Sequence, residues 1–272
     1  MKTHGTRNGG FTLIELLVVI AVIAALSGVT LTATRSMMKS GRRTKELHAA
    51  RQLMAAYLIF PNDHDGELMR GYDKTVQKIS LANDRVIAGE MCCRYPWRLA
   101  PYLGEQVDEM FLLNDAKLET NGQVHDSFDY QYRLSLYPAL GLNAYCVGGY
   151  DDGSQSANFQ SDVITHLSQA VHPSKLIVFA SARMKQSAGD EEISGHFLVK
   201  PPRLWRTKWT ANYDEDKPSS SFGNVAPRWE GQAICAFLDG SVQRLGEKEL
   251  QDMRHWSNTA ADLDDPEFVV PR

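Results

Sequence analysis

A membrane-length apolar run near the start of the chain is its clearest pattern. From Phe11 to Leu31 there are 21 residues, and Glu15 is the only charged one among them. A helix of that length is about 31 Å long, which matches the hydrocarbon core of a bilayer. A charge inside that core costs roughly 2.5 kcal/mol or more. We therefore expect Glu15 to have a partner or a function.

The helical pattern continues beyond this run. Between Leu31 and Phe60 there is no proline and a single glycine, Gly41. Apolar residues recur in this stretch at helical spacing, at Leu47, Ala50, Leu53, Met54, Tyr57 and Leu58. The pattern predicts one helix over about 11–60, half in a membrane and half packed on a soluble domain, which Pro61 then ends.

Short strands are predicted after the helix. The apolar run Leu176–Ala180 indicates a buried strand, and Ser194–Val199 indicates another. Asp239 and Gly240 separate two further apolar runs, and this dipeptide predicts a two-residue hairpin loop with both residues at positive φ. The strands joined by that loop are expected at Ala233–Leu238 and Ser241–Leu245.

The remaining segments predict short helices and loops. We expect a loop that enters a short helix over 94–102, further short helices near 108–113, 163–170 and 246–253, and a loop-like insert over 200–227 that is rich in proline and serine. The predicted fold class is therefore α+β: a long N-terminal helix, its first half transmembrane, packed on a mostly antiparallel β-sheet with loop insertions.

The residues around the start of the apolar run carry a family resemblance. A leader with Lys2 and Arg7 precedes the motif Gly10-Phe-Thr-Leu-Ile-Glu15-Leu-Leu-Val-Val-Ile. This segment closely resembles the N-terminus of type IV prepilins and type II secretion pseudopilins. The resemblance implies that prepilin peptidase cuts after Gly10 and methylates the new N-terminal Phe11. It also implies a pilin-like fold, with no cofactor.

The resemblance gives Glu15 a role in assembly. Its carboxylate, the fifth residue of the mature protein, can pair with the Phe11 amine of a neighbouring subunit, which offsets its desolvation and sets the register. A secretory signal peptide fits less well, because its apolar region spans 7–15 residues and ends in a small-x-small cleavage site. A plain signal anchor with an incidental Glu15 is the other alternative.

The resemblance also implies a domain organisation and a location. Residues 1–10 are the leader peptide, 11–31 the transmembrane half of the helix, 32–60 its soluble half, and 61–272 a periplasmic pilin-like domain. The protein is expected to be a single-pass protein of the inner membrane with a cytoplasmic N-terminus. Its expected partners are prepilin peptidase, other pilin-like subunits of the secretion or pilus machinery, and the membrane.

The flanking charges conflict with that orientation. Five basic residues follow the apolar run, whereas only Lys2 and Arg7 precede it. The five are Arg35, Lys39, Arg42, Arg43 and Lys45. A count of flanking positive charges would place the C-terminal side in the cytoplasm, but the prepilin motif is more specific and decides the orientation. The basic cluster could contact anionic lipid headgroups, contact acidic faces of neighbouring subunits, or simply be solvated.

A second resemblance lies towards the C-terminus. The segments His172-Pro-Ser-Lys and Ala236-Phe-Leu-Asp-Gly-Ser-Val are similar to a subfamily of large pilin-like proteins. Those proteins carry a histidine, nine residues, and then Asp-Gly. Here Asp239-Gly240 is kept, but Trp229 stands at the histidine position, so the role of that histidine does not carry over. The size of the chain, 272 residues, favours a minor or specialised subunit within this family.

Composition agrees with a folded, acidic protein. Hydrophobic residues make up 43% of the chain and charged residues 23%, as in ordinary globular proteins. Loss of Met1–Gly10, which holds Lys2 and Arg7, would leave 27 basic residues against 33 acidic ones. We therefore expect no nucleic-acid binding by the body of the protein.

The four cysteines are candidates for disulfide bonds or metal binding. An oxidising compartment would allow disulfides among Cys92, Cys93, Cys146 and Cys235, with three pairings that the sequence does not distinguish. If Cys92 and Cys93 lie on a strand, they point in opposite directions. One disulfide or four buried thiols is favoured over a metal site, because no cysteine and histidine spacing is typical of zinc.

The stretch Asn62–Gly66 only superficially suggests a calcium loop. Asp63 and Asp65 alternate there, but Lys74 stands where an EF-hand beginning at Asp63 requires glutamate. A polar turn that leaves the helix is the favoured interpretation, and we predict no metal site.

Enzyme motifs are absent from the sequence. There is no Gly-x-Ser-x-Gly, no His-Glu-x-x-His and no phosphate-binding glycine loop. The sequence therefore predicts a non-enzymatic, pilin-like structural subunit, either a pseudopilin or a minor pilin. The alternative is a membrane-anchored periplasmic polysaccharide-binding protein that uses the aromatic residues of 86–150 and needs the prepilin signal only for export. A tethered hydrolase is a third, less favoured class.

Overall fold

One helix dominates the N-terminal part of the computed structural model. The structure describes residues 13–81, 85–104, 127–153 and 162–271, without the side chains of 29–33. Helix α1 spans Leu13–Asp63, so the predicted long helix is confirmed. Among the described residues, no helix is both long and apolar enough to cross a membrane. The chain divides into two compact units, Met1–Arg43 and Thr44–Arg272.

The C-terminal end of α1 differs from the prediction. Pro61 lies inside the helix, which continues to Asp63. A proline inside a helix removes one amide hydrogen bond, and its ring clashes with the preceding turn; here the helix ends two residues later. The helix then ends in a reversal at Asp65 (φ 51°) and Gly66 (φ 86°), where the Gly66 amide donates to the Pro61 carbonyl at 2.8 Å. Asn62–Gly66 is therefore the expected polar turn.

Within its described residues, the second unit contains ten short strands and five short helices besides the end of α1. The strands are β1 Tyr72–Asp73, β2 Lys78–Ser80, β3 Val86–Ala88, β4 Leu140–Leu142, β5 Tyr150–Asp151, β6 Ile177–Ser181, β7 Arg203–Leu204, β8 Thr207–Lys208, β9 Gln232–Phe237 and β10 Val242–Gly246. The helices are α2 Glu90–Cys93, α3 Tyr95–Leu99, α4 Phe128–Leu136, α5 Glu247–Leu250 and α6 Asn258–Asp262. Single 3₁₀ turns occur at Ala100–Leu103, Leu167–Gln169, Ser219–Phe222 and Met253–His255.

The core is a four-stranded antiparallel sheet in the order β10-β9-β6-β4. Its central strand β6 is buried along its whole length, as its continuous apolar sequence predicts. Three two-stranded pairs complete the sheet structure among the described residues, and only β1 and β5 run parallel. The α+β class with mainly antiparallel sheets is thus confirmed.

The part of α1 within the second unit packs on this sheet. Ala50, Leu53, Met54 and Tyr57 are buried along one helix face. The Tyr57 ring meets the Phe179 ring of β6 edge to face, with centroids 5.4 Å apart. The Tyr57 hydroxyl donates to the Met69 carbonyl at 3.1 Å, so the buried phenol is satisfied. Burial of each large apolar side chain contributes about 1.5–3 kcal/mol, which makes this face the main attachment of the helix.

The hairpin at Asp239-Gly240 is real, but its loop is longer than predicted. The Phe237 amide donates to the Ser241 carbonyl at 2.9 Å, which leaves three residues in the loop. The Gly240 amide donates to the Phe237 carbonyl at 2.9 Å, and Gly240 has φ 90° while Asp239 does not have positive φ. This is a turn followed by a left-handed residue, the common three-residue hairpin. The additional loop residue is Leu238, which was predicted to be the last residue of the strand because it is apolar. It is buried in the structure.

The predicted strand at Ser194–Val199 is wrong. This segment makes an isolated bridge from Leu198 to Leu142 instead of a ladder. Its amides bond to an irregular set of carbonyls, for example His196 to Pro138 at 2.9 Å and Phe197 to Leu136 at 3.1 Å. Gly195 lies so close to the Tyr137 carbonyl that a Cβ atom there would be 2.2 Å from its oxygen. Close backbone contact, rather than a ladder, fixes this segment.

Two of the predicted short helices are shorter than expected. The expected helix at 163–170 is only the 3₁₀ turn Leu167–Gln169, because the Gln169 side chain accepts hydrogen bonds from the Thr165 and His166 amides. The expected helix at 246–253 is divided into α5 and the 3₁₀ turn Met253–His255. The short helix expected within 94–102 is present as α3 and the 3₁₀ turn that follows it, so little of this segment is loop. The helix expected at 108–113 lies outside the described residues.

The four cysteines are all buried free thiols. Cys92 and Cys93 lie on α2 rather than on a strand, so the strand geometry considered for them is wrong. Burial raises the pKa of the Cys92, Cys146 and Cys235 thiols. These three side chains are therefore protonated at neutral pH and behave as small apolar groups. The alternative of four buried thiols is the one the structure has.

Candidate processing and assembly site

Glu15 lies in the first turn of α1, which begins at Leu13. The two residues of the predicted cleavage site, Gly10 and Phe11, lie outside the described residues. Of these three residues, only Glu15 belongs to the part of the chain that the structure describes.

The side chains around Glu15 are apolar and exposed on every face of the helix. All residues from 13 to 28 are exposed. The large apolar ones include Leu13 (86% exposed), Ile14 (75%), Leu17 (63%) and Leu26 (64%). A helix that is apolar all round is stable only when its surroundings cover it. This segment therefore requires an apolar environment that the single chain does not supply.

The C-terminal motif residues do not form one site. Trp229 and Asp239-Gly240 lie beyond opposite ends of β9. Trp229 is buried and exchanges backbone hydrogen bonds with Gln232, whereas the Asp239 carboxylate accepts from the Ser241 amide at 2.9 Å. Each residue shapes a local turn, and nothing in this arrangement brings the two turns together.

Three aromatic residues of the middle region serve the core. Tyr95, Trp97 and Tyr130 are buried. The Trp97 indole donates to the Gln131 carbonyl at 3.0 Å, and Arg85 lies over the same ring. Ring faces committed to packing in this way are not available to stack on sugars. Tyr102, Tyr132 and Tyr137 of the same region are only partly buried.

Potential metal ligands are not clustered either. Within the ranges that the structure describes, no three His, Cys, Asp or Glu side chains are placed to hold a metal ion.

A buried carboxylate on α1 was missed by the sequence reasoning. Glu46 is completely buried and accepts a hydrogen bond from the Ser181 hydroxyl at the end of β6. The Arg228 guanidinium lies 3.9 Å from the same carboxylate. Ser181 in turn accepts from the Ile234 amide at 2.9 Å, which links the helix to β9. The sequence did offer one indication of this burial, because Glu46 lies four residues before Ala50 and therefore on the same, apolar face of the helix.

Arg183 is a second buried charged residue that the sequence around it did not reveal. It is completely buried just after β6, and its guanidinium donates to the carbonyls of Asp214 (3.1 Å), Glu215 (2.8 Å) and Lys217 (3.0 Å). It also pairs with Glu192 at 2.6 Å. These contacts hold the 200–227 insert in place, so the role of Arg183 is structural.

Comparison with known proteins supports the N-terminal part of this picture. Residues 5–31 match the family described as the prokaryotic N-terminal methylation motif. The N-terminus of the chain therefore carries a prepilin-type cleavage and methylation motif. Curated proteins and solved structures provide no match.

The matched motif defines the class of protein in general terms. It indicates a type IV pilin-like or pseudopilin-type precursor, and its family comprises structural subunits rather than enzymes. It implies processing by prepilin peptidase and assembly with other pilin-like subunits. The match ends at Leu31, so it does not test the resemblance of the C-terminal segments to a subfamily of large pilin-like proteins.

Proposed function

We propose that this protein is a pilin-like structural subunit, a pseudopilin or minor pilin, of a type II secretion or type IV pilus-like assembly. The observation that carries the proposal is the N-terminal methylation motif over residues 5–31. A long helix packed on an antiparallel sheet is consistent with it. Gly10 is the residue before the cut, and Phe11 becomes the methylated N-terminus.

The proposed anchor is the apolar segment 11–31. Its described side chains from 13 to 28 are exposed on all faces, which suits a lipid environment. The protein would then be a single-pass protein of the inner membrane, with a cytoplasmic N-terminus and residues 61–272 in the periplasm. The prepilin motif supports this orientation.

The proposed role of Glu15 is to set the register between subunits. Its carboxylate would meet the Phe11 amine of a neighbouring subunit inside the apolar layer. An unpaired charge in that layer is costly, so pairing is favoured there. Because removal of one partner from a buried pair typically costs 3–5 kcal/mol, loss of Glu15 should affect assembly strongly.

Replacement of Glu15 by valine tests this role. Glu15→Val should insert into the membrane and be processed, while the fraction of subunits recovered in assemblies falls at least about tenfold, equivalent to about 1.4 kcal/mol. Crosslinking in membranes, followed by sedimentation of the assemblies, measures this fraction. Ser27→Val is the matched control, because it adds a similar side chain to the same segment without removing a charge. Equal assembly of the two variants would contradict the proposed role.

A further inference from the structure

Five basic residues follow the exposed apolar segment on α1, and three of them form the basis of this inference. Arg35, Lys39 and Arg42 are all exposed. No aspartate or glutamate occurs between Glu15 and Glu46, so the local charge of this stretch is wholly positive. Two large apolar side chains are interleaved with the cations, Met37 (75% exposed) and Met38 (56%).

This charge distribution is unusual for the proposed orientation. Positive residues next to a membrane segment are normally retained on the cytoplasmic side. Here they follow the segment and would have to be translocated with the rest of the protein. A specific interaction on the far side of the membrane would explain why the chain carries them there.

The helical rise places Arg35 at the depth of lipid headgroups and the other two cations just beyond them. Beyond Leu31, Arg35 lies about 6 Å further along the axis, Lys39 about 12 Å and Arg42 about 16 Å. The headgroup layer is roughly 5–8 Å thick on each side of the hydrocarbon core. Arg35 therefore lies within the layer, and the other two lie within about one Debye length, 10 Å at 0.1 M salt, of its outer edge.

The direction of helical side chains brings the charges closer still. Each Cα–Cβ bond in an α-helix is tilted towards the helix N-terminus. The long stems of Arg35, Lys39 and Arg42 would thus lean back towards the membrane that holds the N-terminal segment. Lysine and arginine side chains commonly extend along apolar surface in this way and keep their charges among polar groups.

We propose that Arg35, Lys39 and Arg42 bind anionic phospholipid headgroups of the leaflet next to the C-terminal end of the apolar segment. The inference rests on the proposed function, which supplies the membrane anchor. The depth of Arg35, within the headgroup layer, favours lipid over an acidic protein face. Each cation close to an anionic surface strengthens attachment roughly fivefold.

The lipids retained around the full chain test the inference. The protein is expressed with prepilin peptidase, its membranes are extracted into polymer-bounded native nanodiscs, and the retained lipids are quantified by mass spectrometry. We expect anionic phospholipid to be enriched at least about twofold over the bulk membrane. The triple variant Arg35→Gln, Lys39→Gln and Arg42→Gln should lose the enrichment. Its loss of translocated positive charge should not impair insertion.

A second triple variant provides the control. Arg51, Lys78 and Lys248 are also exposed cations, but they lie in the second unit. Their replacement by glutamine removes the same charge and should leave the enrichment unchanged. The inference is overturned if wild type shows no enrichment, if the first triple variant keeps it, or if both variants lose it equally.

The same samples separate this inference from the proposed function. A processed, membrane-inserted chain without anionic lipid enrichment overturns only the lipid inference. Carbodiimide crosslinks from Lys39 to carboxylates of a second copy, in such a sample, would assign the surface to a neighbouring subunit instead. A chain that keeps Met1 and is recovered outside the membrane would overturn both.

Discussion

Replacement of Arg183 by methionine is predicted to loosen the 200–227 insert. The methionine side chain keeps much of the buried volume but removes every donor of the guanidinium. Three carbonyl acceptors, those of Asp214, Glu215 and Lys217, lose hydrogen bonds of 2.8–3.1 Å from a charged donor. The Glu192 carboxylate also loses its partner at 2.6 Å.

The expected cost follows from two opposing effects. Hydrogen bonds to a charged group contribute about 1.5–3 kcal/mol each. The desolvation of a fully buried guanidinium opposes this gain, and the loop carbonyls can be rehydrated once the insert opens. We therefore expect Arg183→Met to lower the free energy of unfolding by about 2–4 kcal/mol, less than the sum of the individual bonds.

Urea unfolding of the fragment Thr44–Arg272, which forms one compact unit, measures this cost. Hydrogen exchange at residues 213–219 reports whether the insert opens. Arg203→Met is the control, because Arg203 has one ion pair, at 2.5 Å, with the exposed Glu267, and should cost less than about 1 kcal/mol. Equal urea midpoints for the two variants, or unchanged exchange in the insert of Arg183→Met, would refute the reasoning.

Two further predictions concern a turn and a histidine. Gly240→Val should destabilise the same fragment by about 1–3 kcal/mol through backbone strain at φ 90°. A clash would not contribute, because the added Cβ would meet only Leu58 at 3.6 Å. Gly240→Asn should cost less, and equal urea midpoints for Gly240→Val and wild type would contradict the positive φ of this turn. Burial lowers the pKa of His196 from 6.5 to about 4, so the unfolded state binds the extra proton. As the pH is lowered from 6.5 to 4, the free energy of unfolding should fall by up to about 1.4 kcal/mol per pH unit. His196→Gln should remove that slope in unfolding curves recorded across the range.

The main elements could be predicted because their signals are local. The helical spacing of apolar residues predicts α1, and continuous apolar runs ending at Asp239-Gly240 predict β9 and β10. The predicted end of α1 was slightly early, because the helix continues for two residues past Pro61 before it ends at Asp63. Local patterns were therefore reliable for the existence of elements and less so for their ends.

The polar contacts could not be predicted because their partners are distant in sequence. Glu46 and Ser181 are 135 residues apart, and Arg183 and Glu215 are 32 apart. A buried acid or arginine within an ordinary segment does not reveal which carbonyls or hydroxyls the fold brings to it. The candidate processing site is the reverse case, since its whole signal lies in consecutive residues around Gly10 and Phe11.

The mature N-terminus tests the central claim most directly. Intact-mass and N-terminal peptide measurements on the membrane-extracted chain should show a protein that begins at Phe11 with a methylated amine. Gly10→Val should retain the leader, because a branched side chain replaces the glycine directly before the cut, whereas Gly9→Val should still be processed. An intact Met1 in the wild-type chain, or cleavage beyond residue 25, would contradict the prepilin assignment.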